Sequence, residues 1–176
     1  MQATAKSAAS ISAGDWTMEK KEAIGRAIGR IASGVFVVTT ERDGERDGLL
    51  ASWINQAAFE PPMISVAVQK QRHLLELLGV GSRFTVNVLS KSNTDAFKNF
   101  AKPFAAGMDR FAGLELMPAG QGGPVLAGAA SYLDCLTRTI VDAGDHVVVL
   151  GEIIDGGLLD GAAEPMVHLR RNGFQY

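Results

Sequence analysis

The sequence predicts a mainly β protein, an antiparallel barrel with a few peripheral helices. Three observations carry that expectation. At least six apolar runs have the length and β-branched content of strands, among them "GVFVVTT", "MISVAVQ" and "RFTVNVLS". Turn signals join several of them directly. No regular βαβ alternation occurs and no glycine-rich loop opens a helix, which argues against a doubly wound nucleotide-binding sheet.

The elements follow in order. Over 17–33, Ile24, Ala27, Ile28 and Ile31 share one helical face, with Lys20, Lys21, Arg26 and Arg30 mostly elsewhere. Gly25 and Gly29 lower helix propensity there and permit close packing. The strand "GVFVVTT" is followed by "ERDGERDG", whose Asp-Gly pairs predict a hairpin leading into "LLASWINQAAFE". Pro61 and Pro62 end that segment, because neither donates to a ladder. "MISVAVQ" is the next strand, "RHLLELLGVG" a short helix stopped by glycine, and "RFTVNVLS" another strand. "SNTDAFKNFA" offers N-cap residues and sets Phe97 and Phe100 on one helical face. The excursion from Lys102 to Pro124, rich in glycine and proline, is long enough to suggest a functional loop. "SYLDCLTRTIVDA", "HVVVLGEIIDGGLLDG" and a short "PMVHLR" complete the strands.

Composition bounds the function. The 176 residues are 47% hydrophobic and 20% charged, enough for one sizeable core. Residues 1–16 are expected to be a flexible segment and 17–176 a single domain. The net charge of −2 gives no general field for nucleic acid, so an anion site must be a local cationic cluster. No run reaches the ~20 apolar residues of a membrane span and no secretory signal is legible, so a cytoplasmic protein is expected. Cys135 is the single cysteine, and its strand-like context favours a buried, inert thiol over a redox centre. His73, His146 and His168 have no metal-ligand spacing.

Three places could carry chemistry. In "ASWINQAAFE" the uncharged polar residues Ser52, Asn55 and Gln56 sit among small and apolar ones. As one strand, it would put Ala51, Trp53, Asn55 and Ala57 on one face and Ser52, Ile54, Gln56 and Ala58 on the other. Such a strand either lets a ligand approach the backbone or is an edge whose polar groups meet water. In "QKQRH", Lys70, Arg72 and His73 gather at the start of a helix, as a phosphate site or a solvated basic turn. In "AGDHVVVLGEI", His146 precedes an apolar strand, aimed into a pocket or exposed at a turn.

The order of these features resembles the flavin reductase-like family, the FMN-binding Greek-key split barrels. The resemblance runs from about Ile24 to Tyr176. It is carried by "DGLLASWINQAAFEPPMISVAV", "RFTVNVL", the segment from Lys102 to Phe111, "AGDHVVVLGEI" and Tyr176. The wording "LASWINQAAFEPP" and "KPFAAGMDRFAG" is most similar to the flavin reductase module of cyanobacterial-type flavodiiron proteins.

The resemblance implies a homodimer binding FMN near the subunit boundary. Leu50, Ala51, Ser52, Trp53, Ile54, Asn55, Gln56 and Ala57 would line the flavin. Lys70, Gln71, Arg72 and His73 would meet its phosphate, with charge-assisted bonds from the cations. Many relatives carry small hydroxyl residues where this chain has Gln56 and Ala58, so contacts there would run through the backbone. His146 would take a positioning role in catalysis. Phe104, Asp109, Arg110 and Phe111 would form a lid or cross the dimer interface, with Arg110 counted among the cofactor-binding residues. The implied activity is hydride transfer from NADH or NADPH to flavin, with electrons passed to free flavin, a partner protein or oxygen. Such chemistry belongs to the cofactor and requires no protein nucleophile. Two rivals remain, a non-catalytic FMN-binding electron carrier reduced by a protein partner, and a barrel that has lost its flavin.

Overall fold

A computed structural model describes residues 16–102, 105, 107–118 and 120–174. The expectations for residues 1–15, Phe104 and Tyr176 lie outside the described residues. The chain divides into two compact units, residues 33–168 and a smaller one formed by the two ends.

In the smaller unit, α1 (Met18–Ile28) is the helix expected from 17–33, five residues shorter at its C-terminus. Thr17 caps it, its hydroxyl accepting from the Lys20 N–H at 3.2 Å. Gly25 and Gly29 do permit close approach. A Cβ on Gly25 would fall 2.6 Å from the Asn172 side chain, and one on Gly29 2.6 Å from the Arg170 carbonyl.

The larger unit is an antiparallel β structure. Its main strands are β2 (Phe36–Arg42), β3 (Glu45–Ala51), β4 (Ile54–Ala58), β5 (Met63–Gln69), β6 (Arg83–Val88), β9 (Ser131–Ala143) and β10 (His146–Leu158). They form one seven-stranded sheet in the order β3-β2-β6-β9-β10-β5-β4, with neighbours antiparallel. The links from β3 to β4 and from β5 to β6 both skip over intervening strands, as in a Greek key. Two short pairs, β1 (Ser33–Gly34) with β11 (Val167–His168) and β7 (Leu116–Met117) with β8 (Val125–Leu126), complete the strands. The helices are α2 (Leu74–Leu77) and α3 (Thr94–Ala101).

Local chemistry explains most of these elements. The β2–β3 hairpin turns on Asp43 and Gly44, with φ of 55° and 82°, as an Asp-Gly pair of this kind requires. Both faces of β2 are buried. Val38 enters a core with Ile64, Val66, Val68, Phe84, Val86 and Val149, while Val37 enters another with Val35, Leu89, Phe100, Phe111 and Leu126. The second core is where α3 packs, and it is Phe100 that enters, leaving Phe97 at the surface. The excursion after α3 returns across the sheet through Gly122, where a Cβ would fall 2.4 Å from the Phe84 backbone. Buried Asp134 holds the loop, accepting from the Gln121 N–H at 2.8 Å and from the Thr85 hydroxyl.

Two local expectations are corrected. Residues 51–58 do not form one strand. β3 ends at Ala51, β4 begins at Ile54, and they lie at opposite edges of the sheet. The strict alternation of faces therefore fails: Ala51, Ser52 and Ile54 are all buried, whereas Asn55, Gln56 and Ala57 are exposed on the β4 edge. The helix after "QKQRH" is a single turn, and two of its amides are already bonded. The Leu75 N–H donates to the Arg72 carbonyl at 3.0 Å and the Glu76 N–H to the His73 carbonyl at 2.8 Å. A single turn sums few peptide dipoles, so an anion there would depend mainly on side chains.

Candidate functional site

Ala51 pairs with Phe36 on β2, and Ile54 pairs with Val66 on β5. Only Ser52 and Trp53 separate them, and a chain of that length spans at most about 10–11 Å. The sheet must therefore curl until its two edges come this close. The crossing is anchored by the Ala67 N–H donating to the Trp53 carbonyl at 3.0 Å. Ser52 is buried in the crossing, and Trp53 is half-buried.

The tip of the β9–β10 hairpin comes to the same corner. His146, the first residue of β10, is paired across to Gln69 on β5 and to Ala143 on β9. Its ring lies against Trp53, with centroids 5.0 Å apart and planes tilted by 38°. His146 Nδ1 stands 2.7 Å from the Asp145 carboxylate, close enough for the ring N–H to donate. That bond holds the Asp145 carboxyl below its usual range, and it fixes the ring from the side away from Nε2.

Lys70 follows directly after β5 and is tied to the hairpin twice. Its backbone N–H donates to the Asp145 carbonyl at 3.0 Å. Its ammonium forms an ion pair with Asp142, whose other carboxylate oxygen accepts from the Gly144 N–H at 3.1 Å. The bond from Lys70, then that from Gly144, lowers the Asp142 pKa. Gly144 has a φ of 76°, the left-handed conformation that closes this turn.

A second cationic cluster surrounds Asp47 of β3. Arg110 is buried, and its Nη1 donates to the Gly48 carbonyl at 2.8 Å. Burial lowers its pKa, Asp47 opposes that shift, and the positive charge of Arg72 adds to it. His73 is held among carboxylates, with Nδ1 3.3 Å from Asp47 and Nε2 3.4 Å from both Glu45 and Glu76. The residues flanking Arg110 fasten the same loop. Asp109 pairs with Arg46 at 3.2 Å, and Arg46 also stacks on the Phe111 ring at 4.8 Å.

The structure thus brings Trp53, Lys70 and His146 together at one corner, and His73 and Arg110 to the Asp47–Gly48 stretch of β3, with Arg72 exposed just before His73. Asn55, Gln56 and Ala57 lie along the exposed β4 edge, and Gln71 is exposed between Lys70 and Arg72. Two residues that sequence reasoning missed, Asp47 and Asp142, are the acidic partners of these cations. Nothing local marks Asp142, because its tie to Lys70 depends on β10 lying between β5 and β9. Two open clefts, of about 620 and 450 Å³, lie beside α3 and the β7–β8 loop and are lined by none of the expected site residues. Among the described residues no group of His, Cys, Asp and Glu could hold a metal ion, and no helix is long and apolar enough to cross a membrane. Cys135 is fully buried, and burial pushes its thiol up to about 12, as expected of an inert cysteine.

This donor set fits a flavin nucleotide. Two flat side chains and a narrow stretch of small-residue backbone suit an aromatic ring, and Lys70, Arg72 and Arg110 suit a phosphate. A curled Greek-key sheet with such a corner defines a flavoprotein of the flavin reductase class. The chain belongs to the flavin reductase like domain family, whose model matches residues 28–175. It is 37% identical over 152 residues to diflavin flavoprotein A 1 of Synechocystis sp. (strain ATCC 27184 / PCC 6803 / Kazusa), covering 86% of this chain and 26% of that protein. Putative diflavin flavoprotein A 3 of Nostoc sp. (strain PCC 7120 / SAG 25.82 / UTEX 2576) is 38% identical with the same coverage. The chain thus spans about a quarter of the length of the curated relatives it matches. Among solved structures it is similar to an NADH:FAD oxidoreductase of Streptomyces globisporus C-1027. The TM-score is 0.75 at 28% identity, over 83% of this chain and 86% of that one. That protein has also been solved with NAD and FAD fragments, at a TM-score of 0.73 and 27% identity, over 84% and 86% of the two chains. A flavin reductase complexed with NADP+ has a TM-score of 0.71 at 25% identity, over 88% and 95%.

Proposed function

We propose that this protein is an NAD(P)H-dependent FMN reductase, acting as a homodimer in the cytoplasm and passing electrons to free flavin, a partner protein or oxygen. The observation that carries it is the convergence of Trp53, His146 and Lys70 on the corner where the two sheet edges meet. Every residue in this proposal lies within 33–168. The family match supports flavin as the ligand class, and neighbours solved with NAD and FAD fragments or NADP+ support a nicotinamide donor.

When bound, the flavin supplies the hydride-accepting chemistry. The chain's own task is to bind and orient. Backbone groups of residues 50–57 would line the flavin, and Trp53 and His146 would supply flat faces beside it. Asp145 holds the His146 imidazole so that Nε2 faces away from the carboxylate, available to donate or accept at the pocket. Lys70 and Arg72 would meet the phosphate, and buried Arg110, held on the Gly48 carbonyl, adds positive charge to the site. Two rings held in register within about 3–3.5 Å of their reacting atoms provide the rate advantage of a near-attack arrangement.

The second reading, an FMN-binding carrier reduced by a protein partner, draws support from the greater length of the diflavin flavoproteins. An anaerobic titration separates the two. Protein loaded with FMN is expected to bleach on adding NADH or NADPH. Bleaching only by a reduced protein donor would establish the carrier, and failure to bind any flavin, even with flavin in excess, would overturn both.

A further inference from the structure

The ion pair between Lys70 and Asp142 places a built-in anion on the ammonium assigned above to the flavin phosphate. We infer that the Asp142 carboxylate and the phosphate of a bound flavin compete for Lys70, so that Asp142 sets how strongly this chain prefers a phosphorylated flavin over riboflavin. This rests on Lys70 meeting the flavin phosphate.

The geometry makes the competition direct. The Lys70 backbone is fastened to the hairpin through the Asp145 carbonyl, so its side chain starts beside the hairpin tip. Asp142 is oriented by its own turn, with one carboxylate oxygen on the Gly144 N–H and the other on Lys70. The Lys70 side chain is 39% exposed and that of Asp142 72%, so an incoming anion reaches the pair without any element unpacking. A phosphate taking Lys70 leaves Asp142 ionised beside it, and Asp145, also close to Lys70, adds like charge. Both carboxylates carry charge that opposes an anion attracted by Lys70. The penalty must therefore fall on phosphate-bearing flavins alone. Exposed pairs of this kind change an equilibrium by about two- to fivefold.

The test is a fluorescence titration of flavin-free protein with FMN, FAD and riboflavin, using Asp142→Asn, Lys70→Ala and the double variant. Asparagine keeps an oxygen for the Gly144 N–H, so the turn is preserved, and a melting curve for each variant verifies it. Asp142→Asn is expected to tighten FMN about two- to fivefold and leave riboflavin unchanged, with no effect in the Lys70→Ala background. FAD tightening as well would identify the phosphate group generally, and tightening of FMN alone the terminal monoester. If Lys70→Ala weakens FMN but Asp142→Asn does not tighten it, or riboflavin tightens equally, the competition is overturned and the phosphate role of Lys70 survives. If Lys70→Ala leaves FMN binding unchanged, the phosphate assignment itself falls, and the competition with it.

Discussion

The Trp53 indole and the His146 imidazole meet with centroids 5.0 Å apart, although one sits on the crossing between sheet edges and the other at a hairpin tip. The contact places an aromatic and a titratable group side by side at the mouth of the sheet. Replacing His146 by Ala is expected to slow reduction of bound FMN by NADH or NADPH about tenfold or more, as loss of a positioning group does. FMN affinity should change far less. Stopped-flow reduction and equilibrium titration measure the two separately, and equal losses in both would make His146 a flavin-binding residue only.

Lys70 and Arg72 supply the mobile cations of the proposed phosphate site. Charge-assisted bonds contribute about 1.5–3 kcal/mol each. Lys70 should stand at the lower end because it gives up Asp142. The double substitution Lys70→Ala with Arg72→Ala should therefore weaken FMN by at least tenfold, and more at low salt than at high. Titrations at two ionic strengths measure this, and identical affinities for variant and parent would remove both residues from the site.

Arg110 has a structural role that its place in a loop does not reveal. It is buried, donates to the Gly48 carbonyl and offsets the buried charge of Asp47. Arg110→Ala should destabilise the protein by about 2–3 kcal/mol through the lost charge-assisted bond and the uncovered carboxylate. Adding Asp47→Asn should recover part of that loss. Urea denaturation of the two variants provides the comparison, and a stability change below about 0.5 kcal/mol would show that the loop is not fastened by this residue.

Cys135 should be silent to thiol reagents in the native protein at pH 8, because burial, then the Asp134 charge, raises its pKa from 9.0 to about 12. The folded value is raised, so the associated stability is complete below pH 9. It declines as pH climbs from about 9 towards 12, where the unfolded chain releases a proton that the folded one keeps. Thiol titration with and without denaturant checks the first point, and melting temperature against pH the second. Rapid native labelling at pH 8 would contradict the burial.

Most of the strands and both long helices were legible because their signals are local. Period-two apolar runs locate β5, β6, β9 and β10, Thr17 marks the start of α1, and Asp43-Gly44 marks the β2–β3 turn. The "QKQRH" and "AGDH" segments were recognisable as candidate sites because their charge and aromatic content are unusual at strand ends. The break at Ser52–Trp53 was not legible. A continuous polar-apolar run reads as one strand, and only pairing with β2 on one side and β5 on the other shows the chain changing edges.

The sequence by itself determined which segments pair into hairpins and which residues are chemically able to hold a flavin and its phosphate. Tertiary structure alone decided that Lys70 meets Asp142, 72 positions away, and that Arg110 lies under Gly48, 62 positions away. The reason is physical. Hairpins and helices are specified by neighbours within a few residues, whereas these two contacts depend on strand order. That order arises only when both faces of β2 and the curled edges are buried together.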